Sequence, residues 1–289
     1  MLRALLANAV DYAGLFPPAG VEMAKAVERY ASYLQSENRW MLGRFVLPAS
    51  RLHEFEQEYG LVPEAEQWKI SCLCGPNITS ELAEIERFQS RHSEDQIVID
   101  CLELSAPGIE HLPQLRNRLP AGHSIYFEVP LTAPKELLLA IRDSAAGAKI
   151  RTGGLKPETI PAAPGVAAFL KVCVETRTRF KATAGLHHPL RCVKPLTYDV
   201  DAPRAKMHGF LNVLLAAGLA YCGALEQDVL SALKADSSEA FHFERESVSI
   251  SGRSLSASQL AEMRENLMTS FGSCSFEEPI DDLRELQLL

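Results

Sequence analysis

The chain has 289 residues, 47% apolar and 23% charged, with a formal net charge of −8 and a pI near 5.6. These are ordinary values for a globular protein. The acidic balance, with no dense Lys/Arg stripe, argues against nucleic acid as a partner. The length allows one large α/β barrel or two smaller domains.

The first residues, MLRALLANAVDYAG, carry a short apolar run broken by Asn8 and Asp11, so no signal-peptide core is expected. The longest apolar run, Gly209–Tyr221, is interrupted by Asn212. It falls short of the roughly 20 residues that span a bilayer, so no membrane partner is expected. Seven cysteines without a CxxC pair read as reduced thiols of a cytoplasmic protein. Cys72 and Cys74 lie in an apolar strand and read as core, since thiolate metal sites need more ligands.

In chain order, strand-like and helix-like runs alternate. Tyr12–Pro17 precedes an amphipathic run from Val21 to Leu34; Met41–Pro48 precedes Arg51–Tyr59, with Ser50 as its expected N-cap. Lys69–Cys74 precedes Thr79–Gln89, where Leu82, Ile85 and Phe88 have helical spacing. Ile97–Leu104 precedes Ile109–Arg118, and Ser124–Val129 precedes Pro134–Ser144. Two lysine-bearing runs follow, Ala148–Gly154 (AKIRTGG) and Phe180–Pro189 (FKATAGLHHP), separated by a helix over Ala163–Glu175.

Strand starts therefore recur about every 22–33 residues, the length of one βα unit. Seven units in a row, with no Gly-rich nucleotide turn, predict a single (β/α)8 barrel over residues 1–289. Beyond Arg191 the pattern loosens. Lys206–Tyr221 reads as a helix apolar nearly all round, which implies burial under an insertion or in a homo-oligomer interface. Phe241–Ile250 reads as a strand or hairpin, and Ser256–Met268 as a helix capped by its serine. The eighth strand is assigned to Ser270–Phe276, with Ala240–Ile250 as the rival and residues 192–269 as an insertion. Glu277, Glu278, Asp281 and Asp282 open the last helix, where acids complement the helix dipole.

A parallel barrel carries its site at the C-terminal ends of the strands. That rule gathers Arg44, Asp100 or Glu103, Glu128, Lys149, Arg151 and Lys181, with His187 and His188 just beyond. Asp100 and Glu103 have opposite parity, so both face inward only with a bulge. Lys149 and Arg151 share a strand face, and an inward parity for Lys149 and Lys181 would bury three cations together. A lysine beside other cations and away from water has its pKa lowered, which frees the amine to attack a carbonyl. A nearby carboxylate then moves protons. The alternative is an ion network in which these groups only neutralise one another.

The motifs carry a resemblance. KIRTGG resembles the K-x-x-T-G sixth strand of deoxyribose-phosphate aldolases, FKATAG their K-A-[ST]-x-G seventh strand, and SFGSCSF their closing strand. IVIDCLEL and IYFEVP sit where that family's fourth and fifth strands would. The resemblance implies an imine-forming Lys149, Lys181 as its pKa-lowering partner and Asp100 as proton shuttle. It places Gly185, Gly272 and Ser273 where backbone amides hold a substrate phosphate. Arg151 stands where that family keeps a small residue, and Gly185-Leu-His-His-Pro189 replaces its Gly-Gly-x-Arg.

The expectation is thus a class I, Schiff-base (aldolase-like) lyase acting without a cofactor on a small, oxygenated, anionic carbonyl compound, phosphorylated or not. Lys149, Lys181, Asp100 and Glu128 are its catalytic residues; Arg44, Arg151, Thr152, Thr183, Gly185, His187, Gly272 and Ser273 hold its substrate. Two alternatives use the same residues. One is a metal-assisted sugar-acid isomerase or lyase built on Glu128, His187 and Glu103. The other is a non-catalytic barrel binding an anion through Arg44, Arg151 and the closing Gly-Ser turn. Leu15-Phe16-Pro17-Pro18 is either a wall of the site or a rigid turn, and His208 and Asn212 either face the mouth or are structural.

Overall fold

The structure, a computed structural model, describes residues 1–61, 67–92, 97–250 and 252–289. Its strands are β1 (Val10–Tyr12), β2 (Leu42–Pro48), β3 (Trp68–Leu73), β4 (Ile97–Ser105), β5 (Ser124–Glu128), β6 (Gly147–Arg151), β7 (Phe180–Thr183), β8 (Cys192–Pro195), β9 (Arg204–Met207), β10 (Phe241–Phe243), β11 (Ser247–Ile250), β12 (Arg253–Ser256) and β13 (Met268–Ser273). The helices are α1 (Leu2–Leu6), α2 (Met23–Leu34), α3 (Leu52–Tyr59), α4 (Ile78–Arg91), α5 (Leu112–Arg118), α6 (Lys135–Asp143), α7 (Ala163–Thr176), α8 (Phe210–Tyr221), α9 (Glu226–Lys234), α10 (Ala257–Asn266) and α11 (Glu277–Glu285).

Eight strands close a parallel barrel in the order β1-β13-β7-β6-β5-β4-β3-β2. The expected (β/α)8 barrel is therefore the fold. The strand that closes it is Met268–Ser273, which starts two residues and ends three residues before the Ser270–Phe276 of the sequence pattern. The rival segment forms β10 and β11 of a separate antiparallel sheet with β12.

Strand parity sorts each strand into a helix-facing and a barrel-facing set. On β2 and β3, Phe45 and Trp68 pack outward with Tyr12, Tyr30 and Phe55, with ring centroids 4.7–5.9 Å apart for the pairs made by Phe45 or by Tyr30 with Trp68. Offset and edge contacts of this kind add to the apolar area they bury. The inward set carries a run of polar groups that contact one another, among them Asp11, Arg44, Ser71, Asp100, Glu103, Lys149, Lys181 and Ser270, with the apolar Val46 and Leu73 nearer the pocket.

Three irregularities in the pairing shape that interior. One extra residue enters β2 opposite Asp11, one enters β4 at Asp100, and one enters β13 between Met268 and Phe271. A bulge re-aims side chains across the pleat. The β4 bulge brings Asp100 and Glu103 to the same side despite their opposite parity. On β2, a Cβ at Gly43 would collide with the Asp11 carboxylate, and the next amide, Arg44 N–H, donates to Asp11 Oδ1 at 2.8 Å.

Residues 192–269 are only in part an insertion. α8 sits between α7 and α9 and against α10, β12 and β13, with Phe210–Leu219 buried throughout. The chain's own neighbours thus account for a helix apolar all round. The additions proper are the β8–β9 hairpin and the β10–β12 sheet. Lys206 and Met207, expected in the helix, end β9 instead, because Gly209 in extended conformation starts α8 at Phe210. Ser50 lies in a 3-10 turn ahead of α3 and caps nothing. Ser256 does cap α10, in a reciprocal capping box with Gln259. Glu277 and Glu278 occupy the first turn of α11. Among the described residues no helix is long and apolar enough to cross a membrane.

Candidate active site

β6 and β7 pair so that Lys149 lies directly opposite Lys181, and Glu128 of β5 directly opposite Lys149. The mutual inward parity of the two lysines is therefore present. Their amines are joined by one carboxylate: Glu103 Oε2 lies 2.7 Å from Lys149 Nζ, and Glu103 Oε1 lies 2.6 Å from Lys181 Nζ. Lys181 has a second partner in Asp11 Oδ2 at 2.6 Å, and Lys149 one in Glu128 Oε2 at 3.0 Å. Ser71 donates to Glu103 Oε1 and Ser270 to Asp11 Oδ2. With Arg44 N–H on Asp11 Oδ1, each oxygen of the two buried acids has at least one donor.

The two lysines differ in their second partners. Asp11 is fully buried, whereas the Glu128 side chain keeps 33% of its exposure. Lys181, between two buried acids, is held as an ammonium with its pKa raised, because the attraction of Asp11 and Glu103 outweighs the opposing desolvation. Glu103 is held well below the usual carboxylate range: desolvation opposes this, but the two ammonium groups prevail. At Lys181 the shift is the opposite of what crowding by cations would produce. The acids match the cations, and charge compensation replaces mutual repulsion.

Above this network a pocket of about 210 Å³ opens at the C-terminal ends of the strands. Glu103, Lys149 and Lys181 form its floor, and Arg151, Thr183, Gly185 and Gly272 line it. Phe16, Pro17 and Pro18 make one wall, as the wall reading of that segment had it, with a cis bond between the two prolines. Leu196 and Met207, contributed by the β8–β9 hairpin, complete the apolar side. Arg151 is exposed at the rim, 4.0 Å from Glu128. Glu128 stands behind Lys149 and Arg151, touching both.

Several expected residues lie elsewhere. Asp100 grips Arg44 with two bonds, Nε to Oδ1 at 2.6 Å and Nη2 to Oδ2 at 2.9 Å. Neither residue is on the pocket wall, because each precedes its strand's C-terminal end by several positions. Glu103, three residues after Asp100, takes the place between the lysines. Thr152 donates to Ala184 O at 2.8 Å and ties the two loops together. Gly153 and Gly185 make that join possible: a Cβ on Gly153 would lie 2.9 Å from the Gly185 Cα, and Gly185 has φ +77°. The glycines of both lysine motifs therefore serve backbone approach.

The histidines diverge, as adjacent residues do. His187 faces the pocket, with Nδ1 3.1 Å from Ser273 Oγ and 3.6 Å from Cys274 Sγ. Burial, with His188 second, lowers its pKa to about 4. Ser273 thus meets the pocket through His187. His188 turns away to Asp282 Oδ2 at 2.6 Å. His208 bonds the Pro161 carbonyl through Nε2, and Asn212 bonds Ala232 O, Ala235 O and Arg191 N–H; both are structural. Glu103, Glu128 and His187 are not gathered around a point: among the described residues no group of three or more His, Cys, Asp or Glu is placed to hold a metal ion.

Sequence reasoning missed Asp11, Ser71 and Ser270, which complete the lysine network. The signal for Asp11 was available, since an acid inside the apolar first strand needs a buried partner. Leu196 and Met207 carried none. No family model, curated protein or solved structure matches the chain.

Proposed function

We propose that the protein is an imine-forming lyase of the aldolase type, acting on a small oxygenated carbonyl compound with Lys149 as nucleophile. One observation carries this reading. Two inward lysines share a buried carboxylate beneath a pocket at the barrel's C-terminal end, and only Lys149 has a second partner that water reaches. Lys181, locked between Asp11 and Glu103, stays charged and keeps Glu103 ionised. Lys149 passes a proton to Glu128, which holds it within reach of solvent, and the freed amine attacks the carbonyl carbon to give a neutral carbinolamine once its own N–H proton has moved to the oxygen.

The carbinolamine hydroxyl then leaves as water, taking a proton from Glu128. The resulting iminium sits where the Lys149 ammonium sat, 2.7 Å from a carboxylate that remains charged. That fixed negative charge stabilises the cation without reorganisation. Glu128, again a carboxylate, takes the proton of the β-hydroxyl as the bond between the α and β carbons breaks; the β fragment leaves as a carbonyl compound, the electron pair makes an enamine, and Glu128 returns the proton to the α carbon to restore the iminium. Water then hydrolyses the imine. Arg151, at the rim, receives an anionic group of the substrate. The resemblance to deoxyribose-phosphate aldolases agrees with this role for Lys149 and rests on the motifs alone. Seven cysteines, all free, suit the reducing cytoplasm.

The test is exchange of α-protons in deuterated water, followed by proton NMR on acetone, hydroxyacetone and pyruvate. The native enzyme is expected to exchange the α-protons of at least one of them, and the Lys149→Met variant to lose that exchange by at least a hundredfold (about 2.7 kcal/mol of barrel-specific catalysis). Equal exchange by native and variant enzyme would remove Lys149 from the chemistry.

A further inference from the structure

His187 has a fixed tautomer whose consequence reaches the substrate. Its Nδ1 faces two donors, the Ser273 hydroxyl at 3.1 Å and the Cys274 thiol at 3.6 Å. Ser273 is 1% exposed, and its oxygen already accepts from Ser275 N–H at 3.4 Å. The acceptor within reach of its proton is Nδ1. Leaving a buried hydroxyl proton without an acceptor is costly, so Nδ1 accepts and the neutral ring carries its hydrogen on Nε2.

The charged and titratable groups around the ring do not change this. Glu278 Oε2 is 3.9 Å from Nδ1, beyond hydrogen-bond reach, and its other oxygen accepts from the Tyr198 hydroxyl at 3.0 Å. His188 is turned to Asp282, with its ring centroid 6.5 Å away. Burial keeps the Cys274 thiol protonated, with its pKa pushed up to about 11. Nε2 has no hydrogen-bond partner among the described residues, and the ring lines both the pocket and an adjoining cavity of about 220 Å³ under the β8–β9 hairpin.

We propose that His187 presents Nε2–H to the pocket as an uncharged donor, and that the substrate is a short carbonyl compound bearing a hydroxyl or second carbonyl oxygen that accepts it. The inference rests on the imine reading and narrows its substrate class. A site built to hydrogen-bond an oxygen discriminates against the analogue lacking it, because a buried donor is then left unpaired. Ser273 is a positioning residue, since it acts by fixing the tautomer.

Two measurements test this. First, borohydride trapping rates are compared between the native enzyme and His187→Ala for the pairs hydroxyacetone/acetone and glycolaldehyde/acetaldehyde. Comparing enzymes probe by probe cancels the intrinsic reactivity of each carbonyl. The loss in the variant is expected to be about tenfold larger for the hydroxylated member, the value of one hydrogen bond. Equal losses for both members would overturn the role. Second, proton–nitrogen correlation NMR of the native protein between pH 5 and 8 is expected to show a neutral His187 ring protonated at Nε2, and the Ser273→Ala variant to populate the other tautomer. A native ring protonated at Nδ1 would overturn the role of His187 while leaving the imine reading intact. Absence of any adduct with all four probes would overturn both.

Discussion

Glu103 is the residue on which the network depends. It is 3% exposed and accepts from Lys149, Lys181 and Ser71 at 2.6–2.7 Å. Removing one member of a buried charge network leaves the others uncompensated, at a cost of roughly 3–5 kcal/mol. Glu103→Ala is therefore expected to lower the urea midpoint by about that free energy, while Lys149→Met, which leaves Glu103 paired with Lys181, loses less. Equal destabilisation by the two would mean that Glu103 is not the shared partner. At this scale the sequence disclosed which residue types are unusual, but not their pairing. Lys149, Lys181 and Glu128 were legible because parity along one strand sets where each points. The resemblance assigns the proton shuttle to Asp100, which lies too far down β4 and pairs with Arg44; a one-residue bulge, invisible in the hydrophobic pattern, turns Glu103 to the same side, three residues nearer the strand's end, where it meets both lysines.

The β6 and β7 loops show why both lysine motifs end in glycine. Their backbones meet at Gly153 and Gly185, and Thr152 bridges them through the Ala184 carbonyl. Gly153→Ala is expected to cost about 1–3 kcal/mol, as overpacking does, and to weaken ligand binding by displacing Gly185 at the pocket wall. An unchanged urea midpoint would show that the two loops are not held in contact. On the far side, Ser256 caps α10 with a reciprocal box, so Ser256→Ala is expected to cost about 1 kcal/mol and to leave any adduct formation at Lys149 unchanged. Elements with a repeating pattern, namely the barrel strands and the amphipathic helices, were legible in the sequence. The β8–β9 hairpin was not: its short strands are mostly exposed, so no alternation marks them, and Leu196 and Met207 join the pocket only through tertiary packing.

The whole barrel stores its ion network and its neutral histidine in one interior, and this sets its response to pH. His187 has a folded pKa of about 4, below its unfolded value. Its contribution is complete above the unfolded value of about 6.5 and is lost as pH falls toward 4, because the unfolded chain binds the proton first. Glu103, also depressed, adds a further loss at lower pH still. Lys181, raised, contributes stability that is full below its unfolded value of about 10.4 and is lost above it. Burial also raises the pKa of the thiols of Cys72, Cys74, Cys101, Cys173 and Cys274, whose contribution is full below the unfolded value of about 8.5 and is lost above it because the unfolded chain ionises first, so stability is expected to peak between about pH 7 and 8 and to fall on both sides. His187→Ala is expected to flatten the slope between pH 6.5 and 4, as read by urea midpoints across that range. An unchanged slope would place the titrating group elsewhere.

The central claim is that Lys149, and not Lys181, forms the imine. Borohydride reduction in the presence of small aldehydes, ketones and keto acids, followed by intact mass and peptide mapping, tests it most directly. The account predicts a reduced adduct on the peptide carrying Lys149, with Lys181 unmodified. An adduct on Lys181, or none on either lysine across the panel, would contradict it and leave the interior as a charge network that only holds the barrel together.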